Sequence, residues 1–309
     1  MNAQGRLAAA GAAIWLDRVI GEPPARLHPV ARFGSLMAKA EATLYSDDRL
    51  RGVLYAAGGI GVAAASGALV QRAVSGPTGG VSATWVTVAG RALERAALEV
   101  SGPLEAGDLD GARAALPALV GRDPSDLGEK DIVRAVVESV AENTVDAVVA
   151  PAVWAAVAGP AAAFAYRALN TLDAMVGHRS ARYERFGWAS ARADDAANWF
   201  PARLSAALVA AVRPGDAKSV WRAVRDQAPA HPSPNAGVAE AAFAAALGVT
   251  LGGTNTYDGR VEQRPPLGYG PPPQPADIRR AVRLSRDVSN ALAAVLVLPA
   301  PARLARRLL

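Results

Sequence analysis

Two stretches without a charged residue place the strongest limit on how this chain can fold. Gly52 to Gln71 and Ala147 to Tyr166 each run for about 20 residues, roughly the length of a helix that crosses the apolar core of a bilayer. Both are rich in Ala and Gly, which suits helices packed closely against other membrane helices. They predict an all-α, polytopic integral membrane protein with about four to five apolar helices. A buried helix of a large soluble protein is the alternative.

The composition narrows the class of protein. The chain has 309 residues, of which 51% are hydrophobic and 20% charged, with a net charge of +5. No run of Lys and Arg is interleaved with aromatics, so a nucleic-acid partner is not expected. Arginines beside apolar segments fit cytoplasmic membrane edges, and no clear signal-cleavage site precedes them. The absence of cysteine excludes disulfides and thiolate ligands. We therefore expect a multi-pass protein of the cell membrane whose active site faces the cytoplasm.

Proline and glycine divide the chain into segments. We expect a single domain over residues 1–309, with a membrane hairpin over about 52–90, an acid-rich core over about 121–212, a polar loop region over about 213–275 and a C-terminal apolar helix over about 288–302. Gly159-Pro160 should break the second apolar stretch into the two arms of a helical hairpin. The stretch from Gly252 to Pro275 predicts long irregular polar loops, which are often functional.

Three carboxylates precede the second apolar stretch. Glu138, Glu142 and Asp146 are spaced four residues apart, which places them on one face of a helix with Asn143 beside them. Like charges at this spacing repel each other, so they indicate a site that needs negative charge, such as a metal or a cationic group. A solvated helix end, where acids near the N-terminus are favourable, is the alternative.

Further polar residues stand beside apolar segments. Asn170 and Asp173 share a helix face with Tyr166, and Asp194, Asp195 and Asn198 lie near the start of a helix predicted over 188–212. His28 precedes Pro29, which holds it in extended geometry and could aim its imidazole at a ligand. These residues are candidates for chemistry, although a histidine in a loop is more often structural.

Several contiguous motifs resemble one known family. They are Asp17-Arg-Val-Ile-Gly-Glu-Pro-Pro with His28-Pro-Val, Gly121-Arg-Asp, Val137-Glu-Ser-Val-Ala-Glu-Asn-Thr-Val-Asp146, Asn170-Thr-Leu-Asp-Ala-Met-Val-Gly177, Tyr183, Phe186-Gly-Trp-Ala-Ser-Ala-Arg-Ala-Asp-Asp-Ala-Ala-Asn198, Pro201-Ala-Arg203, Ser233-Pro-Asn-Ala-Gly237 and Leu251-Gly-Gly-Thr-Asn255. In this order, over nearly the whole chain, they resemble the CobD/CbiB family of cobalamin biosynthesis.

The resemblance implies an adenosylcobinamide-phosphate synthase, a membrane ligase of the late corrin pathway. Such an enzyme joins adenosylcobyric acid to (R)-1-aminopropan-2-yl phosphate, or to aminopropanol, through an amide bond and consumes ATP with Mg²⁺. The implied partners are these substrates and the lipid bilayer, while other corrin-pathway enzymes and a homo-oligomer are left open. A membrane transporter of small solutes and a non-catalytic scaffold for corrin enzymes are the competing hypotheses.

The chemistry of amide ligation assigns roles to the polar residues. The carboxylate must be activated, phosphoryl transfer depends on positioning and charge neutralisation, and Mg²⁺ prefers carboxylate and phosphate oxygens. Asp194, Asp195 and Glu142 are the expected metal ligands. The expected catalytic residues are Glu138, Glu142, Asp146, Asp173 and His28, and a carboxylate or His28 would be the base. The expected substrate- and phosphate-binding residues are Arg122, Asn143, Asn170, Arg182, Tyr183, Arg192, Asn198, Arg203 and Asn235.

These roles restrict how the chain can cross the membrane. Substrates, nucleotide and metal must meet in one place, so the acids before and after the second apolar stretch should face the same side of the membrane. The arms on either side of Gly159-Pro160 should therefore enter and return.

Overall fold

The computed structural model of the chain describes residues 1–24, 28–74, 77–121, 124–178, 180–257 and 260–298. Within these ranges the protein is mostly helical. The helices are α1 (Ala3–Ile20), α2 (Pro29–Leu44), α3 (Arg49–Ala73), α4 (Pro77–Trp85), α5 (Gly90–Glu105), α6 (Leu109–Ala115), α7 (Glu129–Thr144), α8 (Ala150–Ala158), α9 (Pro160–Leu172), α10 (Trp188–Val212), α11 (Ala217–Asp226), α12 (Ala236–Leu247) and α13 (Pro275–Val297). Two antiparallel strands complete the fold, β1 (Thr250–Tyr257) and β2 (Arg260–Gly268).

The chain divides into two compact units. The first contains Met1–Ala89, Ala150–Ala197 and the stretch from Leu292 onward, and the second contains Gly90–Val149 and Asn198–Ala291. Short π-helical segments occur at Val145–Val149, between α7 and α8, and at Asp173–Gly177, directly after α9. Such wide turns are rare and frequently occur at functional sites.

Helix α3 packs against α9 in the first unit through a face of small residues. The buried residues of α3 are Gly52, Tyr55, Ala56, Gly59, Ala63 and Gly67. A Cβ atom at Gly67 would lie 2.9 Å from Cγ of Phe164 on α9, so only glycine permits this close approach. The opposite face of α3 exposes Leu54 and Leu69. Small residues at a helix contact and apolar residues on the outer face are typical of membrane helices.

The predicted helical hairpin at Gly159-Pro160 is confirmed. Helix α8 ends at Ala158, Gly159 adopts a φ of 89°, and Pro160 begins α9. The two helices pack against each other within the first unit. A positive φ strains other residues, and proline fits the first position of a helix, so this dipeptide produces a sharp reversal.

Helix α12 forms the centre of the second unit. All twelve of its residues are buried, and it packs against α7, α11 and both strands. A helix that is covered on every side has no need for an amphipathic pattern, which explains its Ala-rich sequence. Gly248 ends the helix in the left-handed conformation, and β1 follows directly.

The described chain is mostly helical, as expected, but two strands replace much of the irregular loop predicted from Gly252 to Pro275. Thr250 pairs with Gly268 and Leu251 with Leu267, and a bulge lies between Leu251 and Gly253. Asp258-Gly259, a dipeptide typical of tight hairpin turns, stands between the strands in the sequence but lies outside the described residues. Thr, Val and Tyr residues, which favour strands, occur here among the glycines and prolines.

Two helices in the described part of the chain are long and apolar enough to cross a membrane. They are Arg49–Ala73, with 28% of its apolar window buried, and the continuous helix Glu129–Ala158, with 72% of its window buried. The first is the stronger candidate, because a largely buried helix also suits the core of a soluble protein. The return arm of the predicted membrane hairpin over 52–90 contains α4, whose nine residues are fewer than the about 20 that a straight span needs. The expected C-terminal helix begins earlier, at Pro275, and continues unbroken to Val297.

Candidate functional site

Glu138 is a buried carboxylate that holds the base of the β-hairpin. Its side chain is 4% exposed, and Oε1 accepts a hydrogen bond of 2.9 Å from the backbone N–H of Gly252. Arg134, one turn earlier on α7, lies 3.9 Å from the same oxygen and forms an ion pair of 3.0 Å with Asp131. The structure therefore ties this predicted catalytic acid to a strand.

The other predicted acids of this segment have different surroundings. Glu142 is exposed on α7, whereas Asn143 is half-buried and donates to the backbone oxygen of Ser139 at 2.9 Å. Asp146 lies in the π-helical segment, where the spacing of a regular α-helix no longer holds. The predicted face of three carboxylates is thus regular only between Glu138 and Glu142.

Arg203 and Asn235, two predicted phosphate-binding residues, lie in contact in the second unit. Nη1 of Arg203 donates to Oδ1 of Asn235 at 3.3 Å and to the backbone oxygen of Trp199 at 2.8 Å, and Nη2 donates to the backbone oxygen of Pro234 at 3.4 Å. The guanidinium also lies 4.3 Å from the centre of the Trp199 ring. Partial burial lowers the pKa of Arg203, which nevertheless remains protonated at neutral pH.

Sequence reasoning missed a second group of polar residues in the same unit, centred on a buried acid. Glu240 of α12 is fully buried, with His231 Nε2 3.7 Å from Oε2 and Arg264 Nη1 3.8 Å from Oε1. Nδ1 of His231 accepts a hydrogen bond of 3.1 Å from the backbone N–H of Ser233, in the turn that leads to Asn235. A single acid within an otherwise apolar Ala-rich helix was the signal in the sequence, because a buried charge requires partners.

Asp194 and Asp195 lie in the first unit near the start of α10. Oδ1 of Asp194 accepts a long hydrogen bond of 3.4 Å from the side chain of Asn170, so two predicted site residues are brought together. Oδ2 of Asp195 lies 3.6 Å from Nη1 of Arg192, which is also a predicted site residue. Asn198 follows on the same helix, in the second unit, and is buried.

Asp173 opens the π-helical segment that follows α9. A Cβ atom at Gly177 would lie 1.8 Å from Oδ1 of Asp173, so the carboxylate rests directly over this glycine. Any other residue at position 177 would displace the Asp173 side chain, which explains why the motif Asn170 to Gly177 combines an acid with a glycine four residues later.

Arg182 and Tyr183 are held by Glu41, an acid of α2 that sequence analysis did not single out. Nη2 of Arg182 lies 3.1 Å from Oε1 of Glu41, and the Tyr183 hydroxyl donates to the same oxygen at 2.7 Å. Arg182 also stacks on Tyr45, with its guanidinium carbon 4.0 Å from the ring centre. Burial and the hydrogen bond to Glu41 raise the pKa of Tyr183. These contacts fix the loop before α10 to α2.

His28 caps the N-terminus of α2. Its Nδ1 accepts a hydrogen bond of 3.3 Å from the backbone N–H of Val30, and its Nε2 lies 3.6 Å from Oε1 of Glu22. An acceptor at Nδ1 places the proton of the neutral ring on Nε2. The cap explains the position of His28 directly before Pro29, since proline fits the first turn of a helix.

A cavity of about 230 Å³ lies within the first unit between α2, α3 and α9. Its lining is mainly apolar and includes Phe33, Val62 and Phe164, together with Arg32 and Arg167. None of the predicted site residues lines this cavity.

The side chains predicted to bind a metal ion are all carboxylates. No group of three or more His, Asp or Glu side chains is arranged to hold a metal ion within the described ranges. Mg²⁺ usually takes only one or two protein carboxylates together with phosphate oxygens, and the adjacent Asp194 and Asp195 fit that requirement chemically.

Arg122, a predicted phosphate-binding residue, lies outside the described residues.

Comparison with known proteins gives a consistent result over nearly the whole chain. The family model described as CobD/Cbib protein matches residues 10–285. The Cobalamin biosynthesis protein CobD of Mycobacterium tuberculosis (strain ATCC 25618 / H37Rv) is 48% identical over 289 residues, which cover 92% of each chain. The protein of that name from Rhodobacter capsulatus is 43% identical over 301 residues, covering 93% of this chain and 95% of the relative. No solved structure matches the chain at a significant level.

Proposed function

The chain belongs to the CobD/Cbib protein family, and from that premise we propose that it acts in cobalamin biosynthesis as an adenosylcobinamide-phosphate synthase. The proposal rests on one observation above all, the match of residues 10–285 to the family together with a relative that shares 48% identity over 92% of both chains. The reaction forms a C–N bond between a carboxylate of adenosylcobyric acid and the amine of (R)-1-aminopropan-2-yl phosphate or aminopropanol.

The contact between Arg203 and Asn235 supports a role in holding the phosphate of the amine substrate. A guanidinium has five N–H donors in a rigid fork, and three hydrogen bonds to protein oxygens fix the plane of this one. The donors that remain can bind phosphate oxygens in a defined orientation. The stacking on Trp199 restrains the side chain further, which lowers the entropy lost on binding.

Asp194 and Asp195 are the proposed metal ligands. Bound Mg²⁺ and ATP would supply charge neutralisation and the phosphoryl group that activates the corrin carboxylate. The amide of Asn170 orients Asp194, and Arg192 lies beside Asp195, where it can contact nucleotide phosphate.

The amine must lose a proton before or during attack on the activated carboxylate. His28 is a poor base, because Nδ1 is engaged with the N–H of Val30 and Nε2 carries the proton of the neutral ring. Glu138 is engaged with the N–H of Gly252. We therefore favour the exposed Glu142, or Asp146, as the group that accepts the proton.

The experiment is an assay of the purified, full-length protein in detergent with adenosylcobyric acid, aminopropanol phosphate and Mg-ATP. The expected result is an amide product, detected by mass spectrometry, that requires ATP. Arg203→Lys should raise KM for the phosphorylated amine by about tenfold to a hundredfold, because lysine cannot form a bidentate contact. Arg95→Lys, at an exposed cation of α5, is the matched control and should leave KM unchanged.

A protein that forms no product in this assay would contradict the ligase proposal. Uptake of substrate into sealed vesicles without product would favour a transporter. Stimulation of soluble corrin enzymes without product would favour a scaffold.

A further inference from the structure

One face of α11 carries an unusual combination of side chains. Lys218, Trp221, Arg222 and Arg225 are spaced at i, i+3, i+4 and i+7 and are all exposed. This spacing places them together on one side of the helix. Val220 and Ala223 are buried on the other side, where α11 packs against α12. We call the exposed set, together with Tyr269, the α11 face.

The aromatic residues of the α11 face are not accounted for by packing within the unit. Trp221 is 48% exposed and Tyr269 is 51% exposed. Arg222 lies 5.9 Å from the centre of the Tyr269 ring, so the basic and aromatic groups form one surface. Large aromatics beside arginine are enriched where a surface meets a partner or a membrane interface.

Two of the three cations of the α11 face also lack the close ion pairs found elsewhere in the unit. Arg279 and Arg286 of α13 pair with Glu105 and Glu94 of α5, at 2.6 Å and 2.7 Å. Arg225 pairs with Asp226 at 2.7 Å. Among the described residues, Lys218 and Arg222 form no ion pair within 4 Å, and Asp226 acts on Arg222 only from a longer distance, so the three cations and one acid leave the face with a net positive charge. The surface thus suits a partner that carries negative charge.

We propose that the α11 face binds the anionic headgroups of a phospholipid bilayer. Cations on one helix face attract anionic lipid, and Trp and Tyr place an apolar ring and a polar edge at headgroup level. A bilayer is favoured over an acidic protein because the chain has a candidate span in α3 and because both exposed aromatics have the polar edge that suits an interface. The inference concerns the second unit alone and does not depend on the proposed ligase activity.

The natural absence of cysteine makes the test direct. A nitroxide label is attached to the new thiol of a full-length Trp221→Cys variant. This substitution leaves every cation of the α11 face in place. The protein is reconstituted in nanodiscs of phosphatidylcholine with or without phosphatidylglycerol. The depth of the label is then measured as a ratio, its accessibility to oxygen divided by its accessibility to a water-soluble nickel complex. We expect a higher ratio when the anionic lipid is present, and loss of the difference at 1 M salt, where the Debye length falls to about 3 Å.

Charge variants separate specific contact from proximity. In the labelled protein, Lys218→Gln or Arg222→Gln should each weaken the contact of the α11 face with anionic lipid. The population of labels at the bilayer, relative to labels in water, should fall about fivefold. Arg95→Gln, which removes an exposed cation of α5, should change nothing. The same accessibility in both lipids would overturn the proposal. A label that is equally occluded in both lipids and in detergent would also overturn it, and would indicate a protein contact instead.

Discussion

At the scale of single residues, two acids that look equivalent in the sequence differ in how deeply they are buried. Glu138 and Glu142 lie one turn apart on α7, yet one is buried and accepts a backbone hydrogen bond from β1, and the other is exposed. A buried acceptor contributes mainly by satisfying the donor opposite it, whereas an exposed carboxylate can meet a substrate. The first therefore has a structural role that the spacing of acids could not reveal.

Glu138→Ala should destabilise the protein by about 1–3 kcal/mol, because the N–H of Gly252 and the neighbouring Arg134 lose their buried acceptor. Glu138→Gln keeps a carbonyl oxygen for the N–H and should cost less. Glu142→Ala, at an exposed position of the same helix, is the control and should change stability by less than about 0.5 kcal/mol. Chemical unfolding in detergent measures all three. Equal losses for positions 138 and 142 would contradict this assignment.

Tyr183 should ionise above its ordinary value of 10.0, because burial and Glu41 both disfavour the tyrosinate. The folded-state pKa is raised, so the contact stabilises the fold fully below pH 10 and is lost as pH rises through the higher folded value. Ultraviolet titration of the protein minus that of Tyr183→Phe measures the step. Glu41→Gln removes the negative charge and should shift the step to lower pH; a step that stays in place would show that Glu41 has no influence.

At the scale of secondary-structure elements, the contact between α3 and α9 depends on glycine in a manner that can be tested. Replacing glycine by alanine inside a helix gains about 1 kcal/mol where space allows. Gly61 has nothing within 4 Å of the added Cβ, whereas Gly67 has Phe164 Cγ at 2.9 Å. The same substitution should therefore have opposite effects at the two sites.

We expect Gly61→Ala to raise the melting temperature and Gly67→Ala to lower it, since overpacking costs about 1–3 kcal/mol and exceeds the gain in helix propensity. Thermal denaturation in detergent, followed by the loss of monodisperse protein, measures both. A rise at both positions would show that α9 can shift away from α3 without cost.

The elements also show what the sequence could predict. The hairpin at Gly159-Pro160 and helix α10 were predicted because proline, glycine and apolar periodicity are local signals. The strands were missed because glycines and prolines in 252–275 suggested loops, although Asp258-Gly259 is itself a hairpin signal. The partner of Tyr183, Glu41, lies 142 residues earlier in the chain, so no local pattern could identify it.

At the scale of the whole molecule, the proposed chemistry sets a condition on the path of the chain. The acids before α8 and those at the start of α10 must serve the same substrates, so both should be reached from one side of a membrane. The reversal between α8 and α9 supports this condition, because it returns the chain toward the end from which it came.

Single cysteines at Lys130 and Ala196, both exposed positions, should react with an impermeant maleimide from the same side of sealed vesicles. Ser139 and Ser190 are unsuitable for labelling because both are buried. Each variant must also react fully after the vesicles are opened with detergent, which controls for poor reactivity. Reaction from opposite sides would contradict the shared-side condition.

The two π-helical segments have a consequence for the coding sequence. Each holds about one more residue per turn than an α-helix, in which successive side chains are about 100° apart around the axis. Loss of one codon inside Val145–Val149 can therefore be absorbed by tightening the turn, so that α7 and α8 keep their phase while Asp146 swings to another direction. Asp173–Gly177 has a helix only on its N-terminal side, so the same loss there would shorten the turn after α9 and leave no second helix to keep in phase. Inside Val145–Val149, a chain shortened by one amino acid would retain its fold and lose only the aim of an acid.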